Sequence, residues 1–282
     1  MKYNSLGDRM KSYENISRIY LTKRSPVIIR IDGKAFHSFT KGFLRPFDNI
    51  LMETMAETAK FLAQNISGCK LAYTQSDEIS LLLTDYETNE TQPWFENNLQ
   101  KLVSVSASMA TLHFNRIFAN KVISAERSKN HLLYKEICEE LTENDISELT
   151  DYCNALQKSR SIGAMFDARA FVLPREEVVN YFIWRQQDAT RNSILMVAQS
   201  FFSQREMQGI KCDALQDKLF TERNINWNDY SVPQKRGTCI KKQLTRRNNV
   251  ERREWVVDED IPIFTQNKDY INNLVLGGQT NG

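Results

Sequence analysis

The chain has 282 residues, 41% of them hydrophobic, with a formal net charge of +2; that is enough apolar content for one large domain, or for one domain with an appendage. So small a net charge leaves no global basic field, and any contact with nucleic acid has to be local. Five scattered cysteines (Cys69, Cys138, Cys153, Cys212 and Cys239) show no CxxC spacing, which argues against a zinc site and a disulfide framework. No run approaches the roughly 18 apolar residues that would cross a bilayer, so a cytoplasmic protein with reduced thiols and no membrane partner is expected.

The first clear element is VIIRI, Val27 to Ile31, a short β-branched run bounded by Ser25-Pro26 and Asp32-Gly33; it predicts a buried strand with Asp32 at its C-terminal end. After a loop containing Gly42 and Pro46, Asp48 is placed to cap a helix whose Leu51, Met55, Ala59, Leu62 and Ile66 follow three-and-four spacing. Cys69 to Thr74 and Ile79 to Leu83 read as two strands of a hairpin, with Gln75-Ser76-Asp77-Glu78 at its turn. A second amphipathic helix is predicted from about Trp94 to Phe118, then a charged, helix-prone surface insertion over about 121–159 that includes a solvent-facing His131. FDARAFV, Phe166 to Val172, is the fourth strand. Beyond it the pattern gives two helices, Glu176 to Arg185 and Asp188 to Ser203, and a mixed terminal region whose Lys241, Lys242, Arg246, Arg247, Arg252 and Arg253 form the densest basic cluster.

The order strand, helix, strand, strand, helix, strand is that of an α+β, ferredoxin-like (βαββαβ) antiparallel sheet backed by helices, the arrangement nucleotide polymerases use as a palm. The division expected is a catalytic domain over 1–205, with its helical insertion, and a C-terminal extension over 206–282 with a basic RNA-contacting segment.

Phosphoryl transfer needs hard cations held by oxygen ligands more than it needs covalent help. If the first and third strands are neighbours, Asp32 and Asp77 face a common point and two Mg²⁺ ions fit between them, with the Gly33 carbonyl and substrate phosphates completing the coordination. Turn chemistry alone also favours aspartate at each of these places; it accounts less readily for both together. Glu78 either orients a water or a lysine or simply solvates the hairpin edge. Ser76 either donates to a phosphate or shapes the turn, and His37 either touches a nucleotide or hydrogen-bonds its own loop.

The segments VIIRIDGKAFHSFTKGF, YTQSDEISLLL, FDARAF, WRQQDATRNSI and KRGT resemble the tRNA-histidine guanylyltransferase family. The resemblance implies a palm that extends a tRNA at its 5′ end, in the 3′-to-5′ direction, using ATP and GTP. It assigns metal binding to Asp32, Gly33 and Asp77, catalysis to these two aspartates with Glu78, and nucleotide binding to Gly33, Lys34, Ala35, Phe36, His37 and Ser76. It further implies a triphosphate contact at Lys101, RNA contacts at Arg185, Asn192, Lys235 and Arg236, and a homotetramer built as a dimer of dimers. Where the eukaryotic branch has His-Ile-Asn-Asn, this chain has Thr190-Arg191-Asn192-Ser193. That departure favours the guanylyltransferase-like branch, which repairs truncated tRNA 5′ ends against a template, over strict addition of one guanosine to histidine tRNA. A catalytically inert RNA-binding module on the same sheet is the reading of another class; it lacks an RNP-like run and has no use for aspartates at both metal positions.

Overall fold

The computed structural model describes residues 5–136, 143–247 and 250–275. In chain order its elements are α1 (Leu6–Ile16), β1 (Val27–Gly33), α2 (Phe36–Phe39), α3 (Asn49–Asn65), β2 (Cys69–Gln75), β3 (Glu78–Leu83), α4 (Leu99–Glu136), α5 (Glu143–Ile162), β4 (Phe166–Val172) and α6 (Arg175–Phe201). There follow α7 (Gln204–Met207), α8 (Cys212–Arg223), α9 (Val232–Arg236), β5 (Thr238–Arg247), β6 (Val250–Asp258) and α10 (Asp269–Val275). The strands form one antiparallel sheet in the order β4-β1-β3-β2-β5-β6. Its first four members have the expected ferredoxin-like order, and β5 and β6, from the segment read as an extension, continue the same sheet.

Strand alternation divides the core in two. Ile29, Ile31, Ile79 and Leu81 point to the face covered by α3 and α4, where they meet Met55, Leu62, Leu102 and Phe114. Ile28, Leu71, Tyr73 and Leu82 point to the other face, against Val178 and Phe182 of α6 and Ile271 of α10. From Val27 to Ile29 β1 is therefore apolar on both faces, which is why its start reads as a continuous run rather than an alternating one. Each such side chain contributes about 1.5–3 kcal/mol by leaving water.

Asp48 caps α3 as its sequence position suggests, accepting from the Leu51 amide at 2.9 Å. It also accepts from the Tyr152 hydroxyl at 2.8 Å, so α5 is tied to the head of α3. The stretch expected as a surface insertion instead prolongs α4 and returns as α5, and Val122, Cys153 and Leu156 are buried. Its apolar positions are too sparse to register as a stripe, yet each finds the flank of α3 and α4. The His131 side chain and the whole of Cys138 lie outside the described residues, and no disulfide joins the described cysteines.

A second difference concerns α6. The two helices expected after Pro174 are one continuous helix of 27 residues. Nothing between Arg185 and Asp188 breaks it: there is no Gly or Pro, and Arg185 and Asp188 bond to each other one turn apart at 2.8 Å. Its first half packs on the sheet, whereas Ile194, Val197 and Ala198 in its second half pack on Leu215 and Leu219 of α8.

Gly237 links α9 to β5 with φ of +81°, and a Cβ there would lie 2.6 Å from the Thr74 carbonyl oxygen and 2.9 Å from the Tyr73 hydroxyl. Gly209 has φ of +76° with nothing within 4 Å of its added Cβ. Gly209→Ala is therefore expected to lose only the left-handed backbone preference, about 1 kcal/mol. Gly237→Ala should lose clearly more in urea unfolding, because it also forces β5 away from β2.

Candidate active site

The cross-strand register builds the site. Asp32 stands opposite Glu78 on β3 and opposite Asp167 on β4, and residues directly opposite share a face. One row further in, Arg30 stands between Ser80 and Arg169; one row beyond that, Ile28 stands between Leu82 and Phe171. One end of the sheet thus presents a row of carboxylates, backed by a row of cations and hydroxyls, backed in turn by apolar side chains. Asp77 lies in the tight turn joining β2 to β3, where its carbonyl accepts from the Gly33 amide at 3.1 Å. This bond locks the hairpin turn onto the end of β1.

Asp32 and Asp77 are close enough to feel each other. Burial pushes the Asp77 carboxyl above its ordinary 3.8, and the charge of Asp32 adds to the push, while bonds from its own amide and from the Ser76 hydroxyl (3.0 Å) oppose it. Burial also raises Glu78, against the pull of Arg185 and Arg30. Glu78 is 7% exposed and accepts from Arg185 Nε at 2.8 Å and from Ser80 Oγ at 3.3 Å. The reading in which it solvates the hairpin edge is thereby overturned: it is a buried, paired carboxylate behind the two aspartates.

Among the described residues no three His, Cys, Asp or Glu side chains converge as a ready-made cation cage. The donors at the sheet end are all oxygens and carry excess negative charge, which suits a hard ion such as Mg²⁺ that takes one or two carboxylates and finds its other ligands in main chain, water and phosphate.

Two connected hollows open beside these groups. One is lined by His37, Arg45, Asp48, Ser76, Asp77 and Gln199; the other by Asp48, Thr74, Ser76, Asn192, Arg236 and Gly237. Asp48 and Ser76 belong to both, so they form one cleft between the α2–α3 loop, the hairpin turn and the middle of α6. Ala35 and Ser76 hold φ of +55° and +50° beside it. Left-handed backbone at residues with a Cβ is uncommon and concentrates where a loop is shaped for a ligand.

The structure brings together Asp32, Gly33, Ser76, Asp77 and Glu78, sets His37 among the residues lining one hollow, and has Asn192 and Arg236 line the adjoining one. The Tyr73 hydroxyl, donating to the Arg236 carbonyl at 2.7 Å, fixes the turn that carries Arg236. Lys34 donates its amide to the Met165 carbonyl at 2.8 Å, with its side chain exposed. The Phe36 ring packs against Phe39, Phe114 and Phe166, so this residue has chiefly its main chain to offer a nucleotide. Lys235 is held aside, its ammonium donating to the Asn228 carbonyl at 2.5 Å.

Two assignments need correction. Arg185, expected on RNA, is 5% exposed; it bonds Glu78 and Asp188 and stacks on Trp184, 4.3 Å from the ring centroid, leaving it no surface for a phosphate. Lys101 is not part of the cluster. It lies in the first turn of α4 over the Phe95 ring, whereas α4 reaches the carboxylate end ten residues later, where Thr111 Oγ1 accepts from the Phe166 amide; at the helical rise this separates Lys101 from that end by about 15 Å. Asp167 and Arg169, which register puts beside Asp32 and Arg30, were visible only as alternation in FDARAFV. Asp188 gave no signal beyond an ordinary helix charge.

The comparisons with known proteins bear on this geometry. Residues 7–174 match the family described as tRNAHis guanylyltransferase (Thg1). The chain belongs to that family. A bacterial tRNAHis guanylyltransferase-like protein in complex with ATP superposes with a TM-score of 0.76 at 47% identity, covering 96% of this chain and 99% of the other; the same kind of protein in complex with GTP gives 0.74 at 46%, with the same coverages. A tRNA(His) guanylyltransferase of Debaryomyces hansenii is 27% identical over 78% of this chain and 75% of its own length. The Saccharomyces cerevisiae guanylyltransferase structure, at 19% identity and a TM-score of 0.61, shares the fold. As a Thg1-family member the chain is a nucleotidyltransferase, and the palm is the fold of its relatives.

Two measurements probe the charges of the site. The folded state holds a proton on Asp77 more readily than the unfolded chain does, so ionised Asp77 destabilises the fold at neutral pH, and the penalty fades as pH falls through the raised folded value. In metal-free buffer Asp77→Asn should melt above the parent at pH 7, the two melting points converging as the pH drops toward 3.8. Arg185→Ala leaves Glu78 buried without its partner and should lose about 3–5 kcal/mol in urea unfolding; a residue that served only to touch RNA would leave that midpoint unchanged.

Proposed function

We propose that this enzyme extends the 5′ end of tRNA in the 3′-to-5′ direction, repairing truncated ends against the opposite strand of the acceptor stem, with ATP activating the 5′ phosphate and GTP or other nucleoside triphosphates supplying the added units. The observation that carries this reading is that Asp77, close enough to Asp32 to feel its charge, lines a hollow that adjoins the one lined by Asn192 and Arg236. The bacterial relative bound to ATP and to GTP supports the choice of nucleotides.

In the first step an oxygen of the RNA 5′-monophosphate attacks the α-phosphorus of ATP and pyrophosphate leaves, giving an adenylylated end. The 3′-hydroxyl of the incoming nucleotide then attacks the RNA 5′-phosphorus, loses its proton, and displaces AMP. Last, water attacks the α-phosphorus of the new 5′ triphosphate, loses a proton and displaces pyrophosphate, leaving a 5′ monophosphate. Asp32, Asp77 and the Gly33 carbonyl would hold two Mg²⁺ ions, which supply charge stabilisation at the reacting phosphorus and acidify the attacking hydroxyl. The protein's own part is positioning. The Asp77 carbonyl to Gly33 bond and the Ser76 hydroxyl fix the aspartate, Arg185 holds Glu78 behind it, and Arg236 with Asn192 faces the phosphates across the cleft. The Thr190-Arg191-Asn192-Ser193 tetrad favours templated repair over a fixed guanosine. A cytoplasmic homotetramer, arranged as a dimer of dimers, belongs to the same reading, and so does a catalytic unit over 1–205 completed by the 206–282 segment.

Protein incubated with Mg²⁺, ATP, GTP and a 5′-truncated, 5′-labelled tRNA is expected to lengthen the RNA. Asp77→Ala should reduce the rate by at least ~100-fold, the effect of several kcal/mol lost at the transition state. Changing the templating base should change the nucleotide incorporated. Intact protein that leaves the RNA unchanged would remove the reading, and one guanosine added whatever the template would convert it to strict guanosine addition.

A further inference from the structure

The β5–β6 hairpin carries a group of cations that the catalytic reading does not use. Lys242 faces Trp255 and Leu244 faces Arg253 across the hairpin, on the same face as buried Ile240, which is the face covered by α3. Lys70 of β2 joins them there, and the charges of Lys242 and Arg253 both act on it, adding to burial in lowering its basicity. Three cations therefore act on one another on this face, beside the Trp255 indole that Lys242 covers. Lys242 sits 5.3 Å from the Trp255 ring centroid, Trp255 itself leans on the core, and Leu244 beside it is 57% exposed. The one carboxylate ion-paired in this group is Glu87, which bonds Lys70; Lys242 and Arg253 make no ion pair among the described residues. By contrast Lys241, on the opposite face, is neutralised by Asp258 at 2.6 Å.

A cluster of like charges repels itself and persists where an anion offsets it. Its position says which anion. β5 leaves the carboxylate end at Thr238, opposite Thr74, and runs away from it past Lys241, opposite Leu71. At strand spacing the cluster lies roughly 20 Å from Asp32 and Asp77, at the far end of the sheet and around its edge. That is too far for the reacting triphosphate and within reach of the backbone of an RNA arm whose 5′ end is in the cleft.

We propose that Lys70, Lys242 and Arg253, set beside Trp255, form a second RNA-binding site that grips backbone phosphates of the tRNA body away from its 5′ end. The proposal rests on the tRNA reading above and deepens it. The grip would be electrostatic and indifferent to sequence, weak by itself and effective for an arm long enough to reach it from a 5′ end seated in the cleft, and it would hold that arm while the 5′ end moves between activation and transfer.

The test uses the full chain and equilibrium binding without nucleotides, so that failure to extend RNA would defeat the proposed function and leave this site to be decided by its own data. The variant is Lys242→Gln/Arg253→Gln, which keeps the side-chain stems packed; its melting point and its light-scattering mass are checked against the parent. Binding of an unmodified tRNA transcript is measured against salt, beside a stem-loop of about four base pairs, too short to span the distance at about 3 Å per base pair. The expected result is a plot of log affinity against log salt that is shallower by about 2 for the tRNA and unchanged for the stem-loop. An unchanged slope for the tRNA, an equal loss for both RNAs, or a loss accompanied by a changed oligomeric mass would each overturn the proposal.

Discussion

The ion pair between Glu78 and Arg185 is the contact on which the arrangement of the site depends. Asp32, Asp77 and Glu78 are neighbours at the end of β1 and the adjoining hairpin, and the charge of Asp32 acts on both of the others, a repulsion that grows unless one of them is neutralised. Arg185 does this from the middle of α6, with both partners nearly out of contact with water. A buried pair of this kind adds little net stability, because desolvation opposes the attraction; its effect is to specify one geometry, since separating the partners leaves an unpaired buried charge. Here it fixes the rotation and height of α6 over the sheet.

Much else follows from that placement. Asn192 lies two turns further along the same helix, and with its height set it lines the same hollow as Ser76 and Arg236. Gln186, next to Arg185, donates to the Pro262 carbonyl and accepts from the Phe264 amide, so the segment after β6 is held by the same turn of helix. The downstream half of α6 is left free to nucleate the small cluster with α8. One polar contact thus orders the wall of the cleft and the C-terminal packing together.

The sheet face beneath α6 grades from charge to oil within three rows. Asp167, Asp32 and Glu78 form the outer row, Arg169, Arg30 and Ser80 the next, and Phe171, Ile28 and Leu82 the innermost. The second row supplies cations and the Ser80 hydroxyl, bonded to Tyr181 at 2.7 Å. Such a gradient sets the carboxylates at the wetter end of the face and the apolar side chains at its dry end. Left-handed backbone at Ala35 and Ser76 bends the chain beside the cleft.

The sequence by itself determined the strands, the capped helix after Asp48, the hairpin with Asp77 at its turn, and the positions of the two aspartates, because these are local: β-branched runs, three-and-four spacing and turn residues act over a few positions. It also carried the family motifs. It did not disclose that β5 and β6 widen the sheet or that α6 is unbroken, for strand pairing across more than a hundred residues and helix continuity are decided by what each element finds to pack on. Arg185 shows the limit most clearly: in the sequence it is one more polar residue on a helix, and only the tertiary fold, by bringing Glu78 to 2.8 Å inside a dry interface, turns it from a surface cation into the buried partner of the site.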